Sequence, residues 1–496
     1  MLLSILIVGL LAYWLYYELI GKRKGLPPGP QPWPIVGNLF QLDEYDPGKT
    51  IIIWAKQYGP VMSVWLPKYQ ILLADYDVMK EALIKQGDSF SGRPQMFFVD
   101  VFTGPTTQKG LVFADGPLWR EQRRFGLHVL RDFGFGRNLM EEKIMTETNR
   151  LTNHMESLVD KGKCRVNPKE LLSVCVASII SCLVFGYPFE FNDKKFLYLK
   201  KLMGDLTALF NNPYVLMLDY WSGLRHFPPF KSRYNEMLLQ EKLFREFLFN
   251  EINEHKSYLD PDSEPTDYFD AFIKEQYRRK QAGEQEGSFS DWQLYLAAFD
   301  LWGAGMETTV VTLCWSILYL LYHPEIGEKL RQEIDTTLGD SPVTLADKNR
   351  LPYVMATLHE IQRFADIVPL NVPHMTTQDT ILAGHHIKSG TTVMPVLSSV
   401  HKSPQLFPEP EKFKPERFLE SDGKTLKKTD HVIPFSMGKR MCLGESLARM
   451  ELFLIFVSLV RLFEFEVPKG QQLVDLKAVP GFARNPKDYE VTLKKR

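Results

Sequence analysis

Residues 434–446 read PFSMGKRMCLGES and surround one cysteine, Cys442, with two glycines, two basic residues and Phe435. An apolar-faced helical pattern, LGESLARMELFLIFVSLVRLFEF, follows at once. The thiol is therefore expected at a helix N-terminus, where the helix dipole favours the thiolate. Gly438 and Gly444 allow close backbone approach and unusual φ values, so that main-chain N–H groups point at the sulfur. Arg440 adds positive charge or grips a carboxylate. A thiolate stabilised in this way is a nucleophile or a metal ligand. The plain alternative is an inert buried cysteine ahead of a helix.

A second cluster lies in GAGMETT, 303–309. Glu307 and Thr308 sit in a run that is otherwise apolar, and a buried carboxylate is costly without a partner. Gly303 and Gly305 each cost roughly 1 kcal/mol relative to Ala in a helix. A flat cofactor or a small gas lying against the backbone explains two glycines in one turn, and so does close helix packing. The helix that carries them is predicted over 291–322. Ser290 and Gln293 form a capping-box pattern ahead of it, and His323-Pro324 ends it. It is apolar nearly all round and is expected in the interior.

Glu360 and Arg363 in HEIQR are an i, i+3 pair, but the same spacing recurs at Glu121/Arg124, Glu147/Arg150, Glu275/Arg278 and Glu328/Arg331. Trp119 and Arg123 in WREQRR are matched in spacing by Trp221 and Arg225. Spacing alone selects none of these. Arg120, Arg123, Arg124, His128 and Arg131 form a basic stretch on one predicted helix.

The elements that position these groups are mostly helical over 78–330. A strand pair is expected near 60–76, and further strands near 370–400 and at the C-terminus. The chain has 496 residues, 45% of them hydrophobic, and a formal net charge of −1, so nothing global points to nucleic acid. No repeat and no linker divides it. Its five cysteines show no CxxC or zinc-like pairing, which argues for a reducing compartment. Residues 1–20 are almost wholly apolar and long enough to span a bilayer. Lys22, Arg23 and Lys24 follow them and hold that side in the cytosol. The expected organisation is a transmembrane anchor over 1–20, a basic, proline-rich link over 21–37 and one catalytic domain over 38–496.

Phe435-x-x-Gly438-x-Arg440-x-Cys442-x-Gly444 resembles the haem-thiolate signature of the cytochrome P-450 family. Four companions at about 5% each match by chance on the order of 10⁻⁵ per cysteine. The chain resembles the animal microsomal branch that oxidises drugs, steroids and fatty acids. The resemblance implies a mainly α fold with a minor β part, and haem b held by the Cys442 thiolate. It implies haem contacts from Arg93, Trp119, Arg123, His374, Phe435 and Arg440. Ala304 to Thr309 matches the family's oxygen-activation motif, which implies proton delivery by Thr308 and Glu307. The resemblance also implies that Glu360 and Arg363 join Arg417 of KPERF in a buried network. Electrons are implied to come from NADPH–cytochrome reductase, with a small b-type cytochrome as a second donor, at the basic stretch and Lys439. The product is a lipophilic compound carrying one atom of O₂, formed at the endoplasmic reticulum membrane. The segments 96–102, 207–216, 367–372 and 479–482, with Phe299 and Ala304, are expected to wall the pocket. The other activities considered are a haem isomerase or dehydratase of lipid hydroperoxides and a membrane haem sensor.

Overall fold

Period-two alternation in 60–76 becomes an antiparallel pair, Val61–Trp65 with Tyr69–Leu73, in the register Val61↔Leu73 to Trp65↔Tyr69. This computed structural model describes residues 2–19, 21–43, 46–66, 68–104, 109–133, 138–479, 481 and 483–496. The chain forms two compact units. One comprises 1–94, 368–410 and 433–441; the other comprises 95–367, 411–432 and 442–496.

The smaller unit holds most of the strands. Thr392–Pro395 runs parallel to Tyr69–Leu73 and pairs antiparallel with His374–Met375, giving a four-stranded sheet. The β-branched and aliphatic faces of these strands pack on Ile51, Met79, Leu83, Phe90, Leu397 and Met437. The helix Leu2–Leu19 is the first element of this unit, and Ile5, Leu6, Leu10, Tyr13, Tyr16 and Tyr17 along it are exposed. Met1 and Ile20 lie outside the described residues.

The larger unit is helical. Its centre is Asp291–Tyr322, which packs on Pro168–Val184, Phe230–Tyr258, Pro352–Ala365 and Glu445–Leu462. This helix is long and apolar enough to cross a membrane, yet most of it is buried within the protein. Ser290 caps it as expected, accepting the Gln293 N–H at 3.1 Å. The other half of the capping box does not form. The Gln293 amide instead donates to the Gly110 carbonyl at 2.8 Å and accepts the Gly110 N–H at 3.3 Å. A long-range partner outcompetes the local one. Phe463–Glu466, Val491–Lys495 and Arg165–Val166 form the minor β part of this unit.

Candidate active site

Cys442 stands two residues ahead of Gly444, the cap of the helix Glu445–Leu462. Burial pushes its thiol up. The Gly444 N–H and the Arg123 guanidinium pull it down, and Glu445 opposes them. Burial outweighs these donors, so the helix end and the guanidinium favour the thiolate without ionising the sulfur on their own. The cation that acts on it is Arg123 rather than Arg440. A metal ion at the sulfur would remove the proton outright.

Cys442 belongs to no group of ligating side chains among the described residues. Any metal it holds must bring its remaining ligands with it, as an iron macrocycle does. The surroundings fit such a group. The cysteine is exposed although burial dominates its ionisation. A Cβ built on Gly444 would touch nothing within 4 Å. Arg123 lies on the helix Gly116–Asp132 with its guanidinium 6.0 Å from the ring of buried Trp119.

Midway along the long helix, Ala304 is exposed while Trp302 and Met306 are buried. Thr308, one turn on, donates its hydroxyl proton to the Ala304 carbonyl at 2.8 Å. Its lone pairs are then left to accept. Glu307 Oε1 accepts from the Asn485 side chain at 3.4 Å. The two glycines have a packing explanation. A Cβ at Gly305 would lie 2.7 Å from Ile180 Cδ1, and one at Gly303 3.3 Å from Met203. Close approach of the helix Pro168–Val184 accounts for Gly305.

Thr309 reaches a residue that the sequence reading missed. Its hydroxyl donates to Glu451 Oε2 at 3.1 Å. Glu451 is 2% exposed, and its other oxygen has no hydrogen-bond partner among the described residues. Burial pushes this carboxyl up to about 8, against the Thr309 bond, so it is protonated at neutral pH. The folded form therefore holds a proton that the unfolded chain releases near pH 4.5. Stability falls as pH rises from about 4.5 to about 8, by at most about 1.4 kcal/mol per unit, and levels off above that. Glu451→Gln is expected to flatten this slope and to raise Tm at pH 8, as read by thermal unfolding of the haem-loaded protein across pH 5–8.5.

The smaller unit gathers Arg93, His374 and Arg440. Arg93 Nη1 donates to the carbonyls of Pro373 (2.6 Å) and Val372 (3.2 Å), and Arg440 Nε donates to the Ser91 carbonyl at 2.8 Å. The short bridge between Gly92 and Met375 brings these segments together. Burial first, then Arg93 and Arg440, push His374 down to about 3, against its bond to Phe90. The ring is neutral, and Nδ1 donates to the Phe90 carbonyl at 2.8 Å. Nε2 is thus an acceptor, and the donors suited to an anionic group here are the two guanidiniums. Phe435 is half-buried. Gly438 has φ +77°, and a Cβ there would overlap the Leu83 carbonyl. Lys439 is ion-paired with Asp88.

Among the Glu/Arg pairs, Glu360 and Arg363 stand out as both fully buried. Arg363 donates to both oxygens of Glu360, at 2.7 and 2.9 Å, and Arg417 Nε and the Lys414 N–H add bonds of 3.1 and 2.8 Å. The pair Glu275/Arg278 lies at the surface, and Glu121 turns instead to Arg279. Arg225 sits over Phe97 and bonds locally to the Ser222 carbonyl.

Two of the expected pocket segments and Phe299 converge through aromatic contacts. Phe98 stacks on Phe102 and meets Phe210, and Phe299 is in ring contact with Phe102 and Phe244. Of the segment 479–482, Pro480 and Phe482 lie outside the described residues. Asp300, next to Phe299, was also missed. Its Oδ2 accepts the N–H groups of Leu111 (2.6 Å) and Val112 (2.9 Å), and burial raises it to about 6 in spite of them. The available signal for Asp300 and Glu451 was the one used for Glu307, a lone carboxylate in an apolar helix. Arg120, Arg124, His128 and Arg131 are exposed on the helix that carries Arg123, and Asp132 lies beside His128.

The family model described as Cytochrome P450 matches residues 27–493. Cytochrome P450 2H2 of Gallus gallus is 38% identical over 488 residues, covering 97% of this chain and 96% of the relative. Cytochrome P450 2C23 of Rattus norvegicus is 36% identical over 495 residues, with 99% and 97% covered. Cytochrome P450 2E1 of Sus scrofa is 37% identical over 474 residues, with 94% and 92% covered.

Proposed function

The chain belongs to the cytochrome P450 family, and from that membership we propose how its own residues carry out the chemistry. The protein is a haem-thiolate monooxygenase that binds haem b through a cysteine thiolate, and it works with a redox partner reductase, O₂ and a lipophilic substrate. Haem, when bound, supplies reductive activation of O₂, and the thiolate pushes electron density toward O–O cleavage.

Cys442 would supply the thiolate that holds the haem iron. The observation that carries this assignment is an accessible sulfur with one backbone donor and one guanidinium that belongs to no cluster of ligating side chains among the described residues. Trp119, Arg123, Arg93 and Arg440 hold the propionates by charge-assisted bonds. A propionate there would offset the Arg93 and Arg440 charges that hold His374 neutral, so that His374 Nε2 could carry a proton and join them, and Phe435 would pack against the haem. Glu307 and Thr308 deliver protons. The Thr308 hydroxyl, already donating to Ala304, accepts a proton from the Glu307 side through water and passes its own forward. Electron donors, NADPH–cytochrome reductase and a small b-type cytochrome, dock on Arg120, Arg124, Arg131 and Lys439 by charge complementarity. The helix Leu2–Leu19 anchors the protein in the endoplasmic reticulum membrane, residues 21–37 link it, and 38–496 form the catalytic body in the cytosol.

Thr308→Ala tests the proton role. It is expected to keep its haem and its substrate-induced spin-state change, while NADPH consumption ends mainly in hydrogen peroxide rather than product. Coupling equal to that of the wild type would remove Thr308 from proton delivery. Deletion of residues 1–24 is expected to weaken sedimentation with microsomal vesicles while leaving the haem content unchanged. A lipophilic-compound screen read by the ferric spin-state change identifies the substrate.

A further inference from the structure

Three segments of the larger unit meet at His255: the end of the helix Phe230–Tyr258, the start of Tyr268–Gln281 and the turn after Pro168–Val184. His255, Asp267 and Asp270 are 1%, 3% and 7% exposed. One ligating atom from each lies within 4.8 Å of the others.

Each side chain is oriented by a bond that leaves a ligating atom over. His255 Nδ1 donates to the Glu251 carbonyl at 2.9 Å, which leaves Nε2. Asp267 Oδ1 accepts the Asp270 N–H at 2.9 Å, which leaves Oδ2 with a 3.3 Å contact to the Thr266 hydroxyl. Asp270 Oδ2 accepts the Thr266 hydroxyl (2.7 Å) and N–H (3.2 Å), and Asp270 Oδ1 has no hydrogen-bond partner among the described residues. His255 Nε2 is 3.1 Å from the Phe185 carbonyl oxygen and 3.6 Å from Asp267 Oδ2. Gly186, with φ +80°, keeps this space clear, because a Cβ there would come within 2.5 Å of Asp267 Oδ2.

Lone pairs this close require a positive charge among them. A proton on Nε2 gives one positive charge against two buried carboxylates and leaves Asp270 Oδ1 bare. Among the described residues, neither aspartate is ion-paired with a lysine or arginine. A divalent cation balances the charge and uses every remaining lone pair. We propose that His255 Nε2, Asp267, Asp270 and the Phe185 carbonyl bind a divalent transition-metal ion, with Zn²⁺ the best match. Imidazole and carboxylate ligands suit zinc, and bonds of about 2.0–2.2 Å in a tetrahedron put ligand atoms about 3.3 Å apart, between the two separations observed. The bond from Nδ1–H to the Glu251 carbonyl is the outer-shell contact that fixes a ligating histidine. The ion is a structural staple. Its burial means that it is loaded as the chain folds.

The test uses full-length, haem-loaded protein from zinc-supplemented cells, dialysed and analysed for zinc and iron. About one zinc per haem is expected. Zinc-edge X-ray absorption is expected to show a nitrogen/oxygen shell without sulfur. Asp270→Asn and His255→Asn are expected to lose the zinc while retaining the Soret band. The wild type is expected to show a lower Tm after treatment with 1,10-phenanthroline, a reading that needs no variant to fold. Zinc far below one per haem, a sulfur-containing shell, zinc unchanged in both variants or a Tm unmoved by metal removal would each overturn the proposal. The first of these leaves His255 as a buried imidazolium against Asp267.

Discussion

Cys442→His removes the red-shifted Soret band of the reduced carbonyl complex and, with it, product formation from O₂, NADPH and reductase. Histidine still ligates iron, so haem content is not the discriminating readout. What is lost is the anionic sulfur and the electron density it donates. The site offers no replacement, because Cys442 is in no cluster of ligating side chains among the described residues. Arg123, which opposes burial at the sulfur, is left facing a neutral ring. A variant that kept both the band and turnover would place the axial ligand elsewhere.

Glu360→Gln is expected to be the most damaging substitution outside the haem pocket. Glu360 and Arg363 are fully buried, and Arg417 is nearly so. Removing the carboxylate charge leaves two guanidiniums in the interior opposite a neutral amide. Breaking a buried pair in this way costs about 3–5 kcal/mol, a large share of the stability of an ordinary domain. The expected result is low yield of haem-containing protein and a lower denaturant midpoint in whatever is recovered. The same change at Glu275, which pairs with half-exposed Arg278 and with Arg279 near the surface, is expected to lower the denaturant midpoint far less. Equal effects at both positions would show that the Glu360 network does not lock the fold.

The difference between those two glutamates marks what the sequence could and could not convey. Both read as i, i+3 partners of arginine, and only burial separates them. Burial depends on Lys412, Lys414 and Arg417, roughly fifty residues away, so local pattern is blind to it. The long central helix was legible because its apolar run and its stop at His323-Pro324 are local signals. The second half of its cap was not, because Gln293 is claimed by Gly110. Cys442 was legible from its glycines and arginine, but the sign of its ionisation was not. That depends on how the surrounding chain desolvates the sulfur while leaving it accessible, which composition does not report. Glu451 and Asp300 carried the same mark as Glu307 and were passed over because no motif drew attention to them.

Gly438 and the phenylalanine group differ in what they permit over evolutionary time. The loop before the thiolate is seated by main chain against main chain, with Gly438 under the Leu83 carbonyl, so no larger residue can be tried there without displacing the loop. Phe98, Phe102, Phe210, Phe244 and Phe299 come from four helices and meet only through ring faces and edges. Each can be exchanged alone without moving a backbone. On the proposed reading of these rings as the pocket wall, a lineage carrying this chain can redraw the shape of the molecules it accepts, one ring at a time, while the electron-donating atom stays where it is.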